Sequence, residues 1–506
     1  MTSNASFFVA AVFWIGSVNA LAQNAPNVSQ VLMYSTVTNT NIGPQFSQNL
    51  NGGGTNLSGS LPHSLFSIYR VQSNDPGNLA AFQTSPTALN SAISSAIGVA
   101  LALIPVASPT SATINKIEST GAQNGPGTLG PILTERAETI GKHRWFLGIS
   151  YQDFHFTSIN GKSLNGLSIL YAGGEPTGFK AGSGRTTSAP MTFNVGLDVR
   201  LSQSLAFFTY GLTDRVDISV GIPMVHSAVA ATAYNAQVFT GDGLGGGGTQ
   251  PGSNCWCMNS LSPATFQTSQ AYIGQSALAK TGVGDLLVRV KGAVIDTSRG
   301  VVSVGTDLRF ATGDASNYLG TGTTTVKPFL AASLASKASN GIVFSPHFNI
   351  GWQFSGKSQL GGALNGSPQT ANVSGVQVPY FGAPLIVTKD YLPDVLQASI
   401  GAEVALRSRS TVVVDLIGNE IGMIHGAATV HQDSQPGFSP FGPFAPANAV
   451  GMDDGGRTSF KQFSGAFGYK ARITRNLVAA FNALVRFDNR SLTARFVPLY
   501  GLSYTF

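Results

Sequence analysis

The sequence predicts an all-β chain, a transmembrane antiparallel β-barrel of about 12 strands behind an N-terminal extension, and three observations carry that expectation. Charge is scarce: 29 Lys+Arg and 23 Asp+Glu make up 10% of 506 residues, where a soluble globular chain has about 25%. The chain is not correspondingly apolar, because the hydrophobic fraction is 43% and Gly alone contributes 60 residues. That excludes a bundle of membrane helices, each of which needs about 20 apolar residues in a row. From Gly141 onward, stretches of period-two alternation are separated by connections that are alternately short and long, the pattern of an outer-membrane barrel.

The extreme N-terminus comes first. Phe7 to Gly16 form an apolar core, followed by polar Ser17 and Asn19 and then by Ala20-Leu21-Ala22, an A-x-A pattern. Residues 1–22 are expected to be a secretory signal cleaved after Ala22, although Met1 to Ser6 contain no Lys or Arg. The apolar core is about half the length of a membrane span. Residues 23–140 form a low-charge extension rich in Asn, Ser, Gly, Pro and Ala, with weak periodicity. Its exception is Ala96 to Ile104, ended by Pro105 and preceded by a Ser/Ala stretch of helical character. This segment reads equally as a helix packed in a lumen, as a lid, or as part of a loosely ordered extension. The extension as a whole is a candidate plug or lid.

Residues 141–506 are expected to be the barrel, with strands near 145–156, 191–210, 216–226, 283–295, 301–312, 326–336, 342–354, 394–406, 411–424, 458–472, 477–487 and 494–506. The clearest alternation places Ile342, Phe344, Pro346, Phe348, Ile350, Trp352 and Phe354 on one face and Ser345, His347, Asn349 and Gln353 on the other. Such a strand is longer than the 5–6 residues usual in soluble sheets and suits a tilted span of 9–11. In the other strands the charges fall opposite the apolar face. A slip of one residue would move them into hydrocarbon at roughly 2–4 kcal/mol each. The phase assigns to the lumen Asp198, Arg200, Asp217, Arg289, Lys291, Asp307, Arg309, Glu403, Asp415, Lys470, Arg472, Arg486 and Arg495, eight basic against five acidic residues, together with His347. Two readings stay open for these groups: cross-strand ion pairs that fill a narrow lumen, or a polar, mildly anion-favouring constriction. His347 is expected to be a solvated pore-lining residue, and strand Met and aromatic residues to be lipid-facing fill.

Short connections at 211–215, 296–300, 337–341, 407–410 and 473–476 alternate with long ones near 157–190, 226–282, 313–325, 355–393 and 425–457. An even strand count returns the C-terminus to the short-turn, periplasmic side. In the last strand Phe496, Tyr500, Leu502, Tyr504 and Phe506 share one face. Tyr500, Leu502, Tyr504 and Phe506 resemble the terminal signal that barrel-assembly machinery reads. The partners expected are therefore outer-membrane lipid, that machinery and a small-molecule permeant, in the bacterial cell outer membrane. Nucleic acid is not expected, since no run of Lys or Arg exceeds two.

Residues able to carry other chemistry are few. No Gly-x-Ser-x-Gly elbow, His-Glu-x-x-His helix or phosphate loop occurs. His425, His431, Asp433 and Ser434 share a Pro/Gly-rich loop unsuited to holding a hydrolytic triad rigid, so no catalytic residue, metal or cofactor is assigned. Cys255 and Cys257 fit an incidental exposed pair, a strained local disulfide or a weak metal contact. Phe438 to Pro446 form either an apolar docking site at the outer mouth or a cluster packed on itself.

Several stretches resemble an outer-membrane transporter family labelled for the meta-pathway of phenol degradation, remotely similar to fatty-acid and toluene channels. They are Gly211-Leu212-Thr213-Asp214-Arg215 with Val216 to Pro223; Gly282-Val283-Gly284-Asp285-Leu286 with Arg289 and Lys291; Ala311-Thr312-Gly313-Asp314; and Leu319-Gly320-Thr321-Gly322. The match covers about 143–506. It departs at Ala311, where the family has Pro, at loop 226–282 and in the leading segment. The resemblance implies a barrel that passes small apolar or aromatic compounds. The alternatives from other classes are an autotransporter-like translocator and an adhesin or envelope-anchoring barrel.

Overall fold

The computed structural model describes residues 93–104, 129, 134–171, 191–238, 272–334 without 298, and 336–506 without 338–342, 363, 374–375, 408, 424–428, 433–449, 454–458 and 475. A closed ring of 12 antiparallel strands is built from β1 (Trp145–Phe156), β2 (Met191–Gly211), β3 (Val216–Val238), β4 (Leu287–Thr297), β5 (Gly300–Arg309) and β6 (Thr325–Leu334), followed by β7 (Val343–Ser355), β8 (Val395–Arg407), β9 (Ser410–Ile421), β10 (Phe460–Arg472), β11 (Leu477–Arg486) and β12 (Phe496–Thr505). Each strand pairs with its neighbours in the chain. The ring closes where β12 meets β1, with Ile149 opposite Leu502 and Tyr151 opposite Tyr500. Closure leaves no edge of unpaired N–H and C=O groups, the condition for strands to cross a hydrocarbon layer.

The outer face follows from alternation. Phe344, Phe348, Ile350, Trp352 and Phe354 on β7 are exposed, as are Ile218, Val220, Ile222 and Met224 on β3. The outward positions of β6, β7, β8, β11 and β12 carry no charged side chain. Tyr500, Leu502 and Tyr504 belong to this belt, and Phe506 is exposed beside Tyr504 with ring centroids 4.7 Å apart. At the short-turn end Trp145 and Tyr210 pack at 4.5 Å, and at the opposite end Trp352 and Phe354 lie 6.3 Å apart, the amphipathic girdles of a barrel in a bilayer.

β2 and β3 run to 21 and 23 residues, well past the 9–11 that cross a membrane. Above the long-loop end they are flanked by Asn165–Tyr171 and Tyr272–Val283. The expected facing is reversed on this projection. Val195, Leu197, Val199 and Leu201 turn inward into the largest apolar cluster. Asp198 and Arg200 turn outward, 49% and 56% exposed, with the guanidinium donating to the carboxylate at 3.0 Å. They do not line the lumen. The reason is that beyond the bilayer the outside of the barrel is water, so the polar face belongs there and the apolar face seals the interior.

Other boundaries shift for related reasons. The strand expected from 283 begins at Leu287, because Val283 ends the flanking strand. The long connections hold strands of their own, including the hairpin of Leu364–Val373 and Val376–Val387. Inward aromatic residues also occur, against the expectation of lipid-facing fill. Phe146, Phe154, Phe156 and Phe207 are buried.

Residues 93–103 form a helix, α1. Pro105 follows and cannot continue it. The helix is buried at the long-loop end, where Ile93, Ala96, Ile97, Leu101 and Ile104 join Phe154, Phe156, Leu167, Val199 and Leu201 in the largest apolar cluster. Gly98 allows the approach to the loop residues Leu360 and Leu392: a Cβ there would lie 2.9 Å from the Leu360 Cβ.

Candidate functional site in the lumen

Two polar clusters stand on the inner wall. In the first, register places Arg289 of β4 opposite Asp307 of β5, and Asp307 opposite Lys327 of β6. Arg289 Nε and Nη2 donate to the two Asp307 oxygens at 2.6 and 2.9 Å, the fork geometry that suits guanidinium and carboxylate. Lys327 Nζ lies 3.3 Å from the same carboxylate. In the second cluster His347 of β7 and Asp415 of β9 meet across Gly401 of β8, with His347 Nε2 2.7 Å from Asp415 Oδ1. His347 Nδ1 is 3.8 Å from Glu403 Oε1. The contact depends on Gly401, since a Cβ there would lie 2.1 Å from Asp415 Oδ1 and 2.5 Å from His347 Nε2. His347 is buried within this cluster instead of being solvated.

The segment 134–140 runs through the lumen between these clusters. The Glu135 carboxylate accepts from Arg289 Nη1 and from Lys291 Nζ, the latter at 2.8 Å. Lys291 Nζ also donates to the carbonyls of Arg136 and Glu138 at 2.9 and 2.8 Å, which uses all three ammonium protons. Arg136 points the other way, its Nη2 3.6 Å from Glu403 Oε2. Adjacent residues of opposite charge thus each meet a wall group of the opposite sign.

The backbone of this segment has no sheet to join, and inward side chains take its polar groups instead. Glu135 N donates to Asn349 Oδ1 and Glu135 O accepts from Asn349 Nδ2, both at 2.7 Å. Ala137 N donates to Ser333 Oγ at 3.0 Å, and Ala137 O accepts from Ser303 Oγ. Ile140 N donates to Asp217 Oδ2 at 2.9 Å. Nearby, Leu129 N donates to Thr411 Oγ1 at 3.1 Å and Leu129 O accepts from Lys470 Nζ at 3.4 Å. Together with the ion pairs to Arg289, Lys291 and Glu403, these anchors come from each strand from β3 to β10.

At the long-loop end Arg309 caps α1, donating to the carbonyls of Leu101 at 2.8 Å and Ile104 at 3.5 Å. These carbonyls lie at the end of the helix where the macrodipole favours a cation. Ser95 Oγ donates to Leu360 O at 2.8 Å, and Ser94 Oγ is 2.7 Å from Tyr318 Oη. Burial pushes the Tyr318 phenol up despite that bond. Between α1 and Glu135 lies a cavity of about 140 Å³. At the rim, Arg486 lines this cavity and pairs with Asp488 at 3.1 Å. Burial raises the Asp488 carboxyl, but Arg486 and the amides of Phe463 and Arg490 outweigh it and hold the group below its ordinary value.

Of the residues assigned to the lumen by phase, Asp217, Arg289, Lys291, Asp307, Arg309, His347, Glu403, Asp415 and Lys470 lie on the inner wall, and Arg472 is half-buried toward the short turns. Arg495, expected in the lumen, does not line it. It precedes β12 and is exposed, because the β11–β12 connection closes with Arg486 N donating to Arg495 O at 3.0 Å. Asn349 and Gln353 lie on the inner wall, on the polar face where alternation put them, whereas Glu135, Arg136 and Lys327 are not among the residues singled out by sequence. The signal for Glu135 and Arg136 was present: charges crowd at Glu135, Arg136, Glu138, Lys142 and Arg144 after a stretch with very few. Lys327 follows from the same alternation that puts Val326 and Leu330 outward. Residues 1–22, Cys255, Cys257, His425, Asp433, Ser434, Phe438 to Pro446 and the side chain of His431 lie outside the described residues. Among the described residues no group of three His, Cys, Asp or Glu is placed to hold a metal ion.

No protein-family model matches this chain, and no curated protein matches it. Solved structures similar in outline include the COG4313 outer membrane channel from Pseudomonas putida, at 11% identity over 73% of this chain and 98% of that one, TM-score 0.36. The Ralstonia pickettii toluene transporter TbuX is 12% identical over 79% and 98%, TM-score 0.32. The transport unit of the Escherichia coli autotransporter AIDA-I is 11% identical over 72% and 90%, TM-score 0.29. Likeness at this level fixes neither family nor solute.

Proposed function

We propose that the chain is a bacterial outer-membrane channel for small, apolar or aromatic solutes, closed in this state by its own N-terminal extension. The observation that carries the reading is the occupied lumen: a closed barrel with an apolar belt holds a partly open cavity of about 140 Å³, with α1 on one side of it and Thr134 and Glu135 on the other. An apolar cavity of ~150 Å³ accommodates benzene in another protein, so a single ring fits. The segment 134–140 is held by side chains and ion pairs. It leaves without breaking any strand pairing, which is what a channel needs in order to open and remain a barrel. The motifs at 211–223, 282–291 and 311–322 support the same reading through their resemblance to transporters labelled for phenol degradation.

Two measurements test it. In planar bilayers the full chain is expected to conduct little, and the double variant E135Q/R136M, which removes both charge anchors, to conduct in steady events. No conductance in either form overturns the channel reading. Uptake of toluene or phenol by a strain lacking the protein, with and without the restored gene, tests the solute; an unchanged rate removes aromatic transport.

A further inference from the structure

The cavity under α1 has two unlike walls. Val99 and Leu103 of the helix, with Phe154, Phe156, Leu484 and Val497 of the barrel, make one of them apolar. The other, on β4 to β7, carries Arg289, Arg309, Lys327 and Gln353. Three cations there face the Asp307 carboxylate, and Asp285 lies near enough to act on Arg309 as well. The next carboxylate, Glu135, is shared between Arg289 and Lys291.

Arg309 forms no ion pair within 4 Å among the described residues, Asp285 and Asp307 act on it only from farther away, and its guanidinium hydrogen-bonds the helix carbonyls. Lys327 Nζ reaches Asp307 and, at 3.3 Å, Gln397 Oε1. A separate observation points to a ligand. Gln353 is 7% exposed and lines the cavity, yet its side-chain nitrogen has no hydrogen-bond partner among the described residues. The register that sets Val326 opposite Phe354 and Phe329 opposite Gly351 puts Gln353 across from Lys327. A buried donor without an acceptor is costly. Here it stands beside an excess of positive charge at the edge of an apolar space.

We propose that this cavity is a binding site for an amphipathic organic anion, a carboxylate on a single-ring or short aliphatic body. The carboxylate is received by Arg309, Lys327 and the Gln353 amide, and the body lies against Val99, Leu103 and Phe156. The inference rests on the channel reading and narrows its solute from a neutral hydrocarbon to a carboxylate-bearing one. A hydrogen bond to a charged partner is worth more than a neutral one, so the site discriminates by charge as well as by shape.

The test is calorimetric titration of the refolded full chain in neutral detergent with four probes: benzoate, its neutral counterpart benzamide, toluene and acetate. Benzoate is expected to bind about tenfold or more tighter than benzamide, and acetate, which lacks a body, to bind weakly. R309Q and K327Q are expected to weaken benzoate about 10- to 100-fold; R309Q also uncaps α1 and weakens toluene in part, whereas K327Q leaves toluene within about twofold. Equal affinity for benzoate and benzamide in the unaltered protein overturns the proposal, as does an equal loss for benzoate and toluene in both variants. Heat-modifiable migration on a gel reports folding of each variant, and if neither folds, the benzoate-to-benzamide ratio decides alone. If no probe binds while cells carrying the protein take up toluene, the anion site fails and the channel reading stands. If benzoate binds with the expected contrast and no solute is taken up, the site stands and the channel reading fails.

Discussion

Glu135→Gln isolates the latch that holds the inner segment. The substitution keeps the shape of the side chain and removes the charge facing Arg289 and Lys291. Removing one partner of a buried ion pair typically costs 3–5 kcal/mol, because the other charge stays buried. Here both cations keep acceptors: Arg289 holds Asp307 through two bonds, and Lys291 holds the carbonyls of Arg136 and Glu138. The lower end, about 3 kcal/mol, therefore applies. At 1.4 kcal/mol per tenfold change, the docked-to-undocked ratio of residues 134–140 falls by about two decades. Hydrogen exchange read by mass spectrometry is the assay. The amides of Glu135, Ala137 and Ile140, which donate to Asn349, Ser333 and Asp217, are expected to exchange about 100-fold faster, while strand amides of β7 and β8 stay unchanged. Exchange of 134–140 within about threefold of the unaltered protein refutes the latch. Acceleration of the whole barrel in parallel refutes the idea that the segment undocks separately.

Three further outcomes are expected. Gly401→Ala forces a methyl against Asp415 and His347 and is expected to cost about 1–3 kcal/mol, read as a lower urea midpoint for unfolding from vesicles; an unmoved midpoint means the cluster tolerates the intrusion. Ile350→Arg on the exposed face of β7 is expected to cost roughly 2–4 kcal/mol in the same measurement, and no loss would place that face away from hydrocarbon. Asp488 has a lowered folded pKa, so its stabilisation is complete above the unfolded value of about 3.9 and is lost as pH falls through the folded one. Protection of the Phe463 and Arg490 amides should persist at pH 5 and decline only below about 4, whereas loss beginning near pH 6 would assign the effect to another group.

The barrel was legible because its cause is local. Apolar and polar residues alternating along β7 from Phe344 to Phe354, and the same rhythm in β3, β8 and β10, are set by the two-residue repeat of a strand between lipid and water. The short turns locate the ends of the strands. What misled was the projection of β2. Val195 to Leu201 alternate as cleanly as any membrane strand, but alternation states only that two faces differ. Which face meets water depends on whether a bilayer or a helix and its loops lie alongside, and Asp198 and Arg200 fell on the wrong side for that reason.

Composition, phase and loop lengths by themselves determined a closed antiparallel barrel with a polar interior, the strand order, and most of the charged inner wall, because each of these is dictated by neighbours along the chain or one strand away. Only the tertiary structure decided what occupies that interior. Glu135 meets Arg289 and Lys291 across more than 150 positions of sequence, and Leu101 meets Arg309 across 208. No periodicity encodes such meetings. They arise because buried cations and unpaired carbonyls must find partners wherever the chain can bring them, and closure of the barrel brings the N-terminal extension to them.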